Sequence, residues 1–423
     1  MNPVGRGTAF GGRPWIAPDI LSDVCQVVFS SLPRRDQRRW AEVYVRGLLT
    51  VDGRKSVRRI AAAHTGATGA TGEQNLQQFV SKSPWDWKPV RRALADYLQH
   101  QIQPQALAVE PLFIPKAGGR SVGVERQFVP HLGRVSNCQQ AYGIWMVGQD
   151  ASYPVDWGLA LPSTWTADPG RRRRGGIPDN VVSDSPVHCA VADVLDLPRH
   201  RQAVGRPVLM EVGDNDLDHV CSALNDQAVP FILRVGGSFP VAAAGAGSAP
   251  FGGQWVSARR VIDSLRGQHR PVEWVDRSSQ RRRVAPIAAA TVHLPRSASG
   301  GTSTHRLLLV GAWTDPAVTR PAEFWLTNTT QQSPAAVFRT AQLTQQVQRD
   351  LREVSAQVGV SDFEGRSFRG WHHHATLVSV AHAITLLSQA QESSYSRLGP
   401  FHPLPGPAES PSTALLPTGA REH

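Results

Sequence analysis

At about residue 106 the apolar residues change their spacing from three and four to two, and this switch limits the fold more than any other feature of the sequence. From Asp19 to about Gln103 the pattern is helical. DILSDVCQVVFSSL opens it with Asp19 as the cap, RRDQRRWAEVYVRGLL (34–49) repeats the spacing, and PWDWKPVRRALADYLQHQI closes it with Pro84 at the start. Beyond the switch, ALAVEPLFI, SVGVERQFV and QQAYGIWMVGQ (139–149) read as strands. RPVLMEVG (206–213), LDHVCSALNDQ and PFILRV (230–235) then alternate strand, helix, strand. Strands followed by such an alternation indicate a mixed α/β layer.

The same reading divides the chain into six parts: a Gly- and Pro-rich leader (1–17), a helical domain (18–104), a core in two pieces (105–235 and 329–391), a β-rich insertion (236–328) and a Pro-rich tail (392–423) expected to be disordered. Within the helical domain, SVRRIAAAHTG (56–66) and EQNLQQFV (73–80) form two short helices around a Gly- and Thr-rich turn. That is the layout of a helix-turn-helix, whose second helix would enter a major groove. PVHCAVADVLDL reads as a helix, RRRRGG (171–176) as a loop, and GGSFPVAAAGAGSAPFGG as another loop. Long helices are expected from Ser333 to Val358 and from Gly370 to about Gln391.

Charge narrows the partners. There are 45 Lys plus Arg against 34 Asp plus Glu, a net +11, and only Lys55, Lys82, Lys88 and Lys116 are lysines. A net positive field attracts polyanions such as DNA, although arginine-heavy usage also follows from a GC-rich coding sequence. A content of 41% hydrophobic and 19% charged residues excludes an intrinsically disordered chain. No apolar stretch is long enough for a membrane span, and MNPVGRGTAFGGRPW has no apolar signal core, so a cytoplasmic protein is expected, nucleoid-associated if it binds DNA. Cys25, Cys138, Cys189 and Cys221 lie far apart with no CxxC pair, which excludes a zinc ribbon or disulfide scaffold.

Several segments together resemble the IS701 family of bacterial insertion-sequence transposases, within the IS4-like DDE group. RRWAEVYVRGLL and LQQFVSKSPWDW are similar to the family's N-terminal region, and SVGVERQFVPHLGRVSNCQQAYGIW to the stretch after its first catalytic strand. SYPVDWGLALPSTW and RRRRGGIP match the loop that follows, and FEGRSFRGWHHHATLVSVAHA (363–383) resembles its C-terminal segment. The resemblance runs from about residue 36 to 390. It implies an RNase H-like core interrupted by a β-rich insertion, behind an all-helical N-terminal domain. It also implies DNA as partner and Mg²⁺ as cofactor, two ions being clamped by an Asp, Asp, Glu triad around a phosphodiester.

Residue by residue, the triad does not carry over. The family's first motif is approximately IDDTGFPK, and here VEPLFIPK (109–116) puts Glu110 at the catalytic Asp and Pro111 at the next, keeping Pro115 and Lys116. The second, approximately ADAGYG, corresponds to MEVGDN, with Glu211 at the Asp position. The third motif spaces Tyr, Arg, Glu and Lys along a helix, and those places hold Ala341, Thr344, Gln348 and Ser355. Each Asp to Glu change adds a methylene, and Mg²⁺ tolerates little departure from octahedral geometry; a misplacement of about 1 Å can cost roughly 100-fold in rate. Gln348 brings no charge. The expectation is a DNA-binding scaffold whose strand cleavage and metal binding are lost. An alternative is a recruited acid–base enzyme acting on a small substrate through Glu110 and Glu211, with His372, His373 and His374 as further proton carriers.

Neighbouring residues do not obviously substitute. Asp350 lies about 200° around the helix from Gln348, and Asp214 and Asp216 read as caps of the next helix. Consecutive histidines point in three directions, which is wrong for one metal. Candidate DNA contacts are Arg54, Lys55, Arg58, Arg59, Lys116, Arg171, Arg172, Arg173, Arg174 and Arg366, with Arg281–Arg283 as a second solvated run. Trp85, Trp87, Trp157 and Trp165 read as core anchors. A homodimer is compatible with the resemblance.

Overall fold

The computed structural model describes residues 15–64, 69–197, 205–244, 254–277, 279–295, 305–314 and 320–398. Most of the expected leader and all of the tail beyond residue 398 lie outside the described residues. Five helices come first: α1 (Pro18–Val28), α2 (Arg35–Thr50), α3 (Val57–His64), α4 (Gly69–Ser81) and α5 (Trp87–Gln101). Their caps correct two expectations. Ala17 is the N-cap of α1, with Pro18 in its first turn and Asp19 inside the helix. Asp86, not Pro84, starts α5, its carboxylate accepting from the Lys88 N–H at 2.9 Å.

Strands β1 (Ala106–Pro115), β2 (Glu125–Val129), β3 (Arg134–Val147) and β4 (Ser152–Ala160) follow. SYPVDWGLA, expected in a loop, is therefore strand β4. After the short α6 (Ser163–Thr166), RRRRG also departs from the expected loop, because it forms α7 (Pro169–Gly175). The signals were local ones. Asp168 caps the N–H groups of Gly170 and Arg171, Pro169 takes the first turn, and Gly176 ends the helix at φ 61°.

α8 (Pro186–Asp196), β5 (Val208–Glu211), α9 (Leu217–Asp226) and β6 (Phe231–Val235) complete the first half of the core. Asp216 stands at the N-cap position of α9 without a side-chain capping bond, and Asp214 accepts from the Ser238 hydroxyl at 2.9 Å, so neither carboxylate caps the helix as expected. Then come β7 (Pro240–Ala243), β8 (Trp255–Ser257), α10 (Ala258–Ser264), β9 (Arg270–Asp276), β10 (Arg281–His293), β11 (Leu307–Ala312) and β12 (Glu323–Thr327). Two segments expected as loops thus hold strand: PVAA within GGSFPVAAAGAGSAPFGG, and the Arg281–Arg283 run.

The twelve strands among the described residues join one mixed sheet, ordered β2-β3-β1-β5-β6-β12-β11-β10-β7-β8, with β4 on β3 and β9 on β10. β3 is antiparallel to β1 and β4, whereas β5 is parallel to β1 and to β6. The path β4-β3-β1-β5-β6 is consistent with an RNase H-like core. The strands of residues 236–328 continue that sheet, because β12 pairs antiparallel with β6.

The expected helix from Ser333 to Val358 is broken. α11 (Pro334–Ala341) and α12 (Thr344–Asp350) are separated at Gln342 and Leu343, and a π-turn over Leu351–Ser355 extends α12. α13 (Phe368–Leu398) runs seven residues into the segment expected as tail. From Trp371 to Thr385 every residue of α13 is buried, the burial of a central helix enclosed on all sides. It packs on α1, α2, α4, α5 and β4, which puts the N-terminal helices and the sheet in one apolar core.

Candidate functional site

β1 begins with four buried residues, Ala106–Val109, as a strand covered on both faces requires. Glu110 interrupts that run half-buried. Leu107 pairs with Val208 and Ala108 with Leu209, and the same register continued by two residues brings Glu110 level with Glu211 on β5. Glu211 is in turn the register partner of Arg234 on β6, whose Nη1 lies 3.8 Å from Glu211 Oε2. Glu211 ends β5, and Glu110 lies level with it in the middle of the longer β1, so the pair stands at the carboxyl end of the short parallel strand.

α12 lies over β1, β3 and β4 and supplies Gln348, whose amide donates to the Glu110 carboxylate. Thus the structure brings Glu110, Glu211 and Gln348 together. Burial, and after it the charge of Glu211, push the Glu110 carboxyl up to about 7 against the opposing Gln348 hydrogen bond and the Arg352 and Arg234 guanidinium groups.

Those two arginines were missed in the sequence. A signal for one was present: Arg352 is four residues after Gln348, one turn along the same helical face. Asp350, by contrast, is buried and committed elsewhere. Its carboxylate accepts from the Ser152 N–H at 2.7 Å, the Ser152 hydroxyl at 2.8 Å and the Gln346 amide at 2.8 Å.

Two glutamates, one neutral amide and two guanidinium groups do not fit a two-metal centre. Divalent ions of this kind need several anionic oxygens, and the Arg234 guanidinium already stands 3.8 Å from the Glu211 carboxylate. Among the described residues no group of three or more His, Cys, Asp or Glu is placed to share a metal ion.

The three histidines stand on α13 and turn into the helical N-terminal region. His373 stacks on Trp85 at 3.7 Å between centroids, with its ring nitrogens 2.9 and 2.8 Å from the carbonyls of Val80 and Trp85. Burial draws its pKa down to about 4 against those two carbonyls. His374 donates from Nε2 to the Gly359 carbonyl at 2.9 Å and accepts from the Tyr44 hydroxyl at 3.0 Å; burial lowers it also to about 4. His372 stacks on Trp87 and receives Arg91 Nη2 at 3.2 Å on Nδ1, and burial holds it well below its ordinary value.

Arg91 itself is a second feature the sequence reading missed. It is 4% exposed, ion-paired with Asp156, and donates to the Trp157 carbonyl at 2.7 Å and Thr376 at 2.7 Å. It borders a cavity of about 400 Å³ that also meets Trp87, Tyr142, Asp193 and His372. Tyr142 follows the residue opposite Glu110 in reverse along β3, so alternation puts this cavity on the other face of the sheet from Glu110. Gly158 makes room there, since a Cβ at that position would meet the Tyr142 ring at 2.0 Å.

The cations proposed for DNA divide into two groups. Arg54, Arg58, Arg59, Arg173, Arg174 and Arg366 are exposed. Lys55 is buried with its ammonium on the Val51 carbonyl, and half-buried Lys116 donates to the Phe363 carbonyl at 3.0 Å. Arg172 is spent on the carbonyls of Thr166, Pro178 and Val181, where it ties α7 to the following loop, and Arg171 lies over the Trp165 ring. Arg282 and Arg283 face Glu273 and Asp276 across the β9–β10 hairpin. Trp85, Trp157 and Trp165 are buried and Trp87 packs against the core, as anchors do. The four cysteines are free thiols, and no helix among the described residues is long and apolar enough to cross a membrane.

Comparison with known proteins gives one assignment. The sequence profile of the family described as DDE superfamily endonuclease matches residues 27–285, more than half of the chain. No curated protein matches it.

Proposed function

Because the chain belongs to the DDE superfamily endonuclease family, we propose that it is a DNA-binding, transposase-like protein that has given up metal-dependent strand cleavage. The observation that carries this reading is the composition of the centre: Glu110, Glu211 and Gln348 converge, but with Arg234 and Arg352 beside them. A guanidinium group neutralises a phosphate as a cation does, yet it does not generate a metal-bound hydroxide or template an in-line displacement. The segments quoted above favour the IS701 branch of the DDE group, and they are retained where the catalytic letters are not. The exposed arginines of α3 and α7, with Arg54 and Arg366, are the DNA-facing set of this reading, and a net charge of +11 supports it. Nucleoid association in the cytoplasm and a homodimer belong to the same proposal.

The test is binding of labelled duplex DNA across salt. A protein that neutralises several phosphates loses orders of magnitude in affinity between about 50 and 200 mM salt. Absence of binding at the low-salt end would remove the reading.

One observation favours a second reading. A carboxyl pushed up to about 7 is poised to exchange a proton at neutral pH, as a metal-independent acid–base enzyme acting on a small molecule would need. Deletion of the gene followed by complementation decides it. If the Glu110→Gln and Glu211→Gln variants restore whatever the deletion loses, acid–base chemistry at these residues is abandoned.

A further inference from the structure

The misfit between this centre and a two-metal site has a positive side. Arg234 and Arg352 occupy the surroundings of Glu110 and Glu211 from two independent directions. Arg234 comes from the sheet, where its place opposite Glu211 is fixed by the β5–β6 register. Arg352 comes from the helical side, in the π-turn one turn beyond Gln348. Both side chains keep access to solvent: Arg234 is 43% exposed, and Arg352 is exposed. Glu211 stands 3.8 Å from one nitrogen of Arg234, a loose contact that leaves most of that planar fork of five donors unused. Forked guanidinium groups match the paired oxygens of a phosphate better than any other side chain.

We propose that Arg234 and Arg352 hold a phosphodiester of duplex DNA at the Glu110–Glu211–Gln348 centre in place of divalent metal ions. The inference rests on the DNA-binding reading above and adds where the backbone is gripped and by what. No bond is made or broken. The guanidinium pair supplies the attraction, and burial, which favours the neutral form of the Glu110 carboxyl, limits its repulsion of the phosphate. Glu211 opposes binding, because it holds a negative charge beside Arg234 and competes for it.

The experiment is fluorescence anisotropy of a labelled duplex with the full-length chain, titrated with salt, once with Mg²⁺ and once with a chelator at matched ionic strength. The expected result is the same affinity in both buffers. Arg234→Gln and Arg352→Gln should each weaken binding and reduce the slope of log affinity against log salt by about one. Glu211→Gln should bind more tightly than the native chain, a gain that a merely structural role of this residue would not produce. Thermal denaturation confirms that each variant is folded, and exposed positions make folding defects easy to avoid. Native affinity that requires Mg²⁺, or variants at 234 and 352 that keep the native slope, would overturn the proposal while leaving DNA binding intact. Failure of the native chain to bind DNA at low salt would remove both.

Discussion

Glu110 is the residue at which the physical demands of the site are most visible. The residues before it on β1 are apolar and buried, and its partner strand brings a second carboxylate to the same level. The folded protein therefore holds its proton up to about pH 7, against an ordinary value of 4.5. The sign of the linkage follows. Below pH 4.5 the carboxyl is protonated in both states and has no effect. Between 4.5 and 7 the unfolded chain ionises and the folded chain does not, so stability falls as pH rises, and above 7 the loss is complete. Glu110→Gln cannot ionise and escapes this loss. Its melting temperature should match the native value near pH 4 and exceed it at pH 8, by an amount worth about 1–3 kcal/mol. A gain that is equal at both pH values would show that repacking, not ionisation, is responsible.

Among the elements, α5, β4 and α13 are tied by one buried cation. Arg91 on α5 reaches Asp156 and the Trp157 carbonyl on β4, and Thr376 and His372 on α13. Arg91→Met keeps the stem volume but strips Asp156 of its partner, which should cost about 3–5 kcal/mol in urea denaturation. Adding Asp156→Asn should recover a part of that loss, because it removes the stranded charge. Such a tie is invisible in sequence, since it joins residues 65 and 285 positions apart. Local features were more legible. Strands β1, β3, β5 and β6 and helices α8 and α9 follow from periodicity alone. α7 was also readable, from Asp168, Pro169 and Gly176, but the arginine run drew attention to charge rather than to caps. At the candidate site, Glu110, Glu211 and Gln348 were found by their places in three motifs. Arg234 was not, because only strand register sets it opposite Glu211. The histidines were read correctly as pointing in different directions, yet their stacking on Trp85 and Trp87 depends on how α13 docks against the N-terminal helices.

For the molecule as a whole, burial of α13 sets the acid response. His373, His374 and His382 all stay neutral in the folded state down to about pH 4, from an ordinary 6.5. The unfolded chain takes up these protons as pH falls below 6.5, so the stability they confer is present above that value and is lost progressively toward pH 4. Their slope is opposite to that of Glu110 and of Asp193, whose carboxyl burial raises to about 6, and the three histidines outweigh the two carboxyls. Urea midpoints of the native chain should therefore rise from pH 4 to pH 6.5, and a flat or falling profile would contradict the buried neutral rings. In the function proposed above, the DDE scaffold holds a phosphate with arginines at its centre and assembles no metal ions there. A calorimetric titration of the purified chain with Mn²⁺ tests it most directly, beside a variant carrying Glu110→Asp, Glu211→Asp, Gln348→Glu and Arg352→Gln. The account predicts no saturable heat for the native chain and saturable uptake by the variant; saturable uptake of Mn²⁺ by the native chain would contradict it.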